Sequence, residues 1–224
     1  MSSDAMGSTI ERIRSFQGRP ADNLLIQCVD DHDAGTLDSE FNYIREHTQV
    51  SFMLLALKVE SWNRDLSPWV APAVWGTEGF GEGADDTLRI ITDSLIPEAL
   101  GSGMLSDKPS IFLGGYSLAA LFALWAGYQR PFDGICAASP SVWFPGWLDY
   151  AKSNPFLCGR CYLSLGRKEE KTRNQVMAKV GDCIREQKNI MEQGGVDASL
   201  EWNEGNHFTE PDIRTAKGFC WLLG

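Results

Sequence analysis

The sequence predicts an α/β fold, a mainly parallel β-sheet of about six strands with helices on both faces. Three observations carry it. Short apolar runs at 24–29, 51–59, 111–113, 134–138, 161–165 and 199–202 alternate with stretches of helical periodicity, the order that feeds strand after strand into one parallel sheet. Most runs are continuously apolar rather than alternating, as in strands buried on both faces. The stretch after 111–113, with Ala119, Ala120, Leu121, Phe122, Leu124 and Trp125, is apolar nearly all round, as expected of a helix at the centre of a fold.

A chain of 224 residues is long enough for one such domain and short for two. The division expected is a polar lead-in at 1–22, loose or with a short helix around 10–16, followed by a single domain at 23–224. Charged residues at 22% and hydrophobic ones at 43% suit a soluble globular chain. No apolar run approaches the ~20 residues of a membrane helix, and the N-terminus lacks a signal-peptide core, so a cytoplasmic location is the expectation. A net charge of −10 with no basic patch argues against nucleic acid or an anionic membrane as partner. The six cysteines read as buried thiols. Cys158 and Cys161 have the spacing of a redox or zinc pair but lack a second pair or a nearby histidine. No cofactor or metal ion is expected.

In chain order, the strand at 24–29 runs into the polar loop Asp30-Asp31-His32-Asp33, placed where open α/β sheets bind ligands. Leu37, Phe41 and Ile44 then mark a helix ending near His47, whose imidazole opposes the helix dipole and is given no catalytic part. Beyond the strand at 51–59, residues 60–84 hold Trp62, Trp69, Trp75 and Phe80 with little periodicity, an ordered loop expected to contribute to a pocket. A helix with Leu88, Ile91, Leu95 and Ala99 follows, interrupted or kinked at Pro97. After the central strand and helix come a strand at 134–138, a second aromatic loop at 139–147, and a strand at 161–165. A long helix carrying Val176, Val180, Ile184, Ile190 and Met191 leads to the last strand, a loop at 203–208 and a closing helix at 211–222.

The run Gly115-Tyr116-Ser117-Leu118-Ala119 lies between an apolar strand and the central helix, the layout of a nucleophile elbow. A turn this tight strains the serine backbone and brings positions two before and two after it together, where only small residues fit. Alanine stands where glycine is usual at the last position. A serine hydroxyl needs a base and a group to orient that base. Among the three histidines only His207 lies after Ser117, as the order Ser, acid, His on α/β-hydrolase sheets requires. Glu169 and Glu170 follow the strand at 161–165. Glu169 is favoured, three residues beyond Gly166, a spacing similar to the Gly-x-x-Asp of related hydrolases, and Glu170 is the alternative; Asp182 lies too far inside the next helix. One oxyanion-hole donor is expected from the Leu118 amide. The other is expected from the loop at 30–33, with Asp31 and His32 as candidates.

On the segments GGYSLAALFALWA, FDGICAASPSVWF, YLSLGRKE and GNHF, the chain resembles the esterase family of α/β-hydrolases that includes enterochelin esterase-like, esterase D-like and mycolyltransferase-like proteins. The resemblance covers roughly the last half of the chain. It implies a serine hydrolase acting on carboxylic esters, with Ser117 as nucleophile and His207 as base. It also implies an α/β-hydrolase sheet trimmed to six parallel strands in the order 2-1-3-4-5-6, because only a short polar segment precedes Leu24. The expected function is hydrolysis of a small-molecule ester through an acyl-enzyme. Trp62, Trp69, Tyr116, Trp143 and Trp147 are expected to line the substrate pocket. An acyltransferase and a catalytically silent binding protein of the same fold are the alternatives. Substrate identity and oligomeric state do not follow from the sequence.

Overall fold

The computed structural model of the protein describes residues 20–74 and 76–224 in full and 10–15 by their backbone. Among them is one seven-stranded sheet in the order β1-β3-β2-β4-β5-β6-β7. Six strands are parallel: β2 (Ala21–Val29), β3 (Phe52–Lys58), β4 (Leu105–Tyr116), β5 (Gly134–Ala138), β6 (Arg160–Gly166) and β7 (Asp197–Asn203). Numbered among themselves, they follow the expected order 2-1-3-4-5-6.

The N-terminal expectation needs correction. Ile10–Ser15 forms not a helix but β1, antiparallel to β3 with Ile10 opposite Leu57. A strand on the outer side of β3 takes up backbone groups that an edge would leave unpaired. The rest of the lead-in before Pro20, and Trp75, lie outside the described residues.

Apolar runs without alternation make sense once both faces are covered. Leu24, Ile26 and Cys28 of β2 join one core, whereas Leu25 and Val29 join the other; in β3 Met53, Leu55 and Leu57 part in the same way from Phe52, Leu54 and Ala56. α2 (Leu37–His47) and α9 (Pro211–Leu223) close one face through Phe41, Ile44, Ala216 and Phe219. The larger core on the other face holds α4 (Ala84–Ile90), α6 (Ser117–Gln129) and α8 (Val180–Gln193). α6 is buried from Leu118 to Tyr128 without a break, which explains its lack of a polar face. Two short helices, α1 (Asp31–Ala34) and α3 (Trp62–Asp65), follow β2 and β3. Between α4 and α5 (Ile96–Gly101) the chain widens into a π turn at Ile91–Leu95, with Pro97 in the first turn of α5, where a missing N–H costs least. α7 (Trp147–Ser153) follows the second aromatic loop. Helix α8 starts only at Val180, so Val176, placed on its stripe by periodicity, lies outside it and exposed. No helix among the described residues is long and apolar enough to cross a membrane.

One polar pair lies inside the α2 face. Gln27 on β2 donates to Glu40 Oε2 at 2.8 Å, and Glu40 Oε1 has no hydrogen-bond partner among the described residues. Burial pushes the Glu40 carboxyl up to about 8, helped by Asp212 and Asp33 and opposed by the Gln27 hydrogen bond. A carboxyl raised on folding stabilises the protein fully only below its unfolded value, and that contribution is lost as pH rises toward about 8. Glu40→Gln is therefore expected to match wild type in urea unfolding near pH 4.5 and to exceed it progressively up to pH 8. Parallel unfolding curves at all pH values would contradict this.

Candidate active site

Strand β4 ends at Tyr116 and helix α6 begins at Ser117, so the chain turns without an intervening residue. Ser117 has φ +58°, in the left-handed region that non-glycine residues seldom adopt. A Cβ at Gly115 would lie 2.8 Å from Ala119 Cβ, which explains why glycine stands there and why alanine suffices at 119. The tight turn holds the Ser117 side chain at the carboxyl edge of the sheet and at the start of α6.

Two later connections meet it. His207 comes from the loop after β7, and its Nε2 lies 2.9 Å from Ser117 Oγ. Its Nδ1 lies 2.7 Å from Glu169 Oε2, at the start of the 3₁₀ turn after β6. A ring nitrogen facing a carboxylate carries the proton, so Nδ1 donates to Glu169 and Nε2 accepts from the Ser117 hydroxyl. Glu170, the alternative carboxylate, turns away toward Arg185 at 3.6 Å.

Glu169 Oε1 accepts from Gly166 N–H at 2.7 Å, Ser139 Oγ at 2.8 Å and Arg214 Nη1 at 3.0 Å. Burial opposes ionisation, but the hydrogen bond and charge of His207, with the Ser139 and Gly166 bonds, outweigh it and hold the carboxyl below its ordinary value. Ser139 and Arg214 were not singled out by sequence reasoning. The available signals were the Ser139-Pro140-Ser141 turn directly after β5 and an arginine on the buried face of the last helix. Ser139, like Ser117, has positive φ, +46°.

Leu118 N–H lies in the first turn of α6, and the Asp31 and His32 amides lie in the first turn of α1, after the Asp30 cap. First-turn amides have no carbonyl within their own helix, so they are suited to face an anion. The Asp31 carboxylate pairs with Lys58. Burial and neighbouring Asp30 push the Asp33 carboxyl up to about 6, against the opposing pull of His32 and His207.

A cavity of about 460 Å³ opens beside His207, walled by Trp143, Met177, Val180, Lys168 and Phe208. A smaller one of about 120 Å³, at the end of β3 by Arg64 and Thr87, shares no residue with the Ser117 cluster. Of the five aromatic residues expected around the substrate, Trp143 lines the larger cavity and the other four do not. Trp147 is fully buried, its indole N–H donating to Gln187 at 2.8 Å. Trp69 donates to the Pro145 carbonyl at 2.9 Å and packs on Phe144 and Tyr150. Trp62 packs against the core from α3. Both indole N–H groups given partners here belong to an aromatic cluster that anchors the second loop, which is why composition alone pointed to a pocket. Tyr116 instead donates its hydroxyl to the His207 carbonyl at 2.8 Å. Cys158 and Cys161 are buried free thiols, both raised in pKa by burial.

No family model matches the sequence. No curated protein matches it either. Solved structures do match the fold. The siderophore hydrolase EstA from Aspergillus nidulans is 20% identical with a TM-score of 0.72, over 92% of this chain and 84% of that one. An IroE-like serine hydrolase from Shewanella oneidensis is 14% identical with a TM-score of 0.72, over 97% and 80%. The enterobactin hydrolase IroE, in complex with DFP, is 15% identical with a TM-score of 0.63, over 98% and 97%. At these identities the likeness shows a shared fold.

Gly115→Ala is expected to lower the unfolding free energy measured in urea by about 1 to 3 kcal/mol, because the added methyl meets Ala119 at 2.8 Å in a closed turn. Stability equal to wild type would show that the turn has slack.

Proposed function

We propose that the protein is a serine-dependent carboxylic ester hydrolase. The observation that carries the reading is the continuous hydrogen-bonded run Ser117 Oγ, His207 Nε2, His207 Nδ1, Glu169 Oε2, at 2.9 and 2.7 Å, with the serine on a strained strand-to-helix turn.

The steps follow from those contacts. Ser117 Oγ attacks the ester carbonyl carbon as His207 Nε2 takes its proton. Glu169 stabilises the imidazolium and keeps Nδ1 as the donor. The tetrahedral oxyanion is met by Leu118 N–H at the positive end of α6 and by an amide of Asp31 or His32, each such donor being worth about 3 to 4 kcal/mol. Collapse expels the alcohol, protonated by His207, and leaves an acyl-Ser117. Water, deprotonated by the same imidazole, then releases the acid. The cavity beside His207 offers apolar walls at Trp143, Met177 and Val180 for part of the substrate. The siderophore and enterobactin hydrolases that share the fold make siderophore esters the first substrates to test.

A fluorophosphonate probe is expected to label wild type and not Ser117→Ala; equal labelling of both would remove Ser117 from the reaction. On an aryl ester, Glu169→Gln is expected to lower kcat/KM by about 10² to 10⁴ with little change in KM, because an amide cannot enforce the required tautomer. Glu170→Gln is expected to leave kcat/KM within a factor of about three, its partner being the half-exposed Arg185.

A further inference from the structure

A buried arginine outside the three reacting side chains touches the connections that supply all of them. Arg214 lies on α9 with 2% of its side chain exposed. Its Nη1 lies 3.0 Å from Glu169 Oε1, 3.1 Å from the Tyr116 hydroxyl and 3.3 Å from Ser139 Oγ. Its Nη2 donates to the Glu204 carbonyl at 2.7 Å. Tyr116 directly precedes Ser117, and its hydroxyl donates to the His207 carbonyl. One guanidinium thus reaches the elbow, the carboxylate and the histidine loop.

We infer that Arg214 is a positioning residue for the esterase reaction: it keeps the Glu169 carboxylate ionised toward His207 and holds the three connections in register. The inference rests on the roles proposed for Ser117, His207 and Glu169. Three donors occupy Glu169 Oε1, so Oε2 is turned to the imidazole. Without its cation a buried carboxylate favours the protonated form. A protonated Glu169 would donate to Nδ1 rather than accept from it, moving the ring proton to Nε2, which could then no longer take the serine proton. His207 already favours the ionised Glu169, and none of the other nearby titratable groups supplies a second buried cation. Burial keeps the Tyr116 phenol protonated, at a pKa of about 12. Asp33 acts on His207 from α1 with a charge of the wrong sign. The Glu204 carboxylate faces Arg167 at 3.1 Å. Lys168 and Lys171 line the open cavity, where solvent screens them.

The test is the pH dependence of fluorophosphonate labelling in wild type, Arg214→Met and Arg214→Lys. The reactive form of the Glu169–His207 pair has lost the Nε2 proton of the imidazolium and keeps the one on Nδ1. Removing a neighbouring cation makes the Nε2 proton harder to lose, so the acid limb in Arg214→Met is expected to move up by about one pH unit. Its plateau rate is expected to fall about tenfold or more as the geometry loosens. Arg214→Lys is expected to return the limb toward wild type while the plateau stays low, because an ammonium keeps the charge and loses the planar fork. An unmoved limb in Arg214→Met, or equal movement in both variants, would overturn the inference. Should Arg214→Met fail to fold, the double variant Glu169→Gln with Arg214→Met decides: folding of the double supports the charge pairing, and its failure overturns it. Unlabelled wild type would overturn the esterase reading and this inference together, whereas labelled wild type with an unmoved limb overturns this inference alone.

Discussion

A carboxylate with 4% of its side chain exposed survives in ionised form only if the surrounding protein replaces the water it has lost. For Glu169 the replacements come from four places. They are the Gly166 amide at the end of β6, the Ser139 hydroxyl after β5, the His207 ring after β7 and the Arg214 guanidinium on α9. Strands β4, β5, β6 and β7 stand side by side and point the same way, so their following connections all emerge at one edge. The sheet order is what lets residues that follow β5, β6 and β7 converge on two oxygen atoms.

The backbone around this carboxylate is strained where it must be and supported there. Ser117 and Ser139 both have positive φ, a conformation that costs energy unless the surroundings over-determine it. They are braced by ladder-like bonds outside the strands: Ser139 N–H donates to the Ser164 carbonyl, and Ser141 N–H to that of Ser117. Beneath them α6 is buried from Leu118 to Tyr128. The rim is different in kind, with Phe208, next to His207, 87% exposed.

Legibility in the sequence followed the range of the forces involved. Burial on both faces of the sheet removes polar alternation from Leu24–Leu25–Ile26 and from the run at 52–57, so those strands announce themselves locally. The strand at Ile10–Ser15 gave no such signal, because its sequence is neither a continuous apolar run nor a strict alternation and its partner, β3, lies some forty residues on. The large indoles show the same limit of local pattern. Trp69 and Trp147 look like pocket walls in a list of residues, yet each N–H is consumed by a specific partner, Pro145 or Gln187, that no local pattern reveals.

By itself the sequence determined the succession of the parallel strands and the main helices from Leu24 onward and the small residues around Ser117. It also restricted the histidine that could follow Ser117 to one, since each of these depends on neighbours within a few residues or on chain order. Spacing favoured Glu169 and left Glu170 open; the tertiary structure decided between them, brought Ser139 and Arg214 into the cluster, and set Trp143 apart from the other expected aromatics on the cavity wall. Ser117 and His207 are 90 residues apart, and Glu169 and Arg214 are 45 apart. Contacts at such separations are set by how the sheet edge gathers its connections, so chain order and spacing narrow the candidates without fixing which atoms meet.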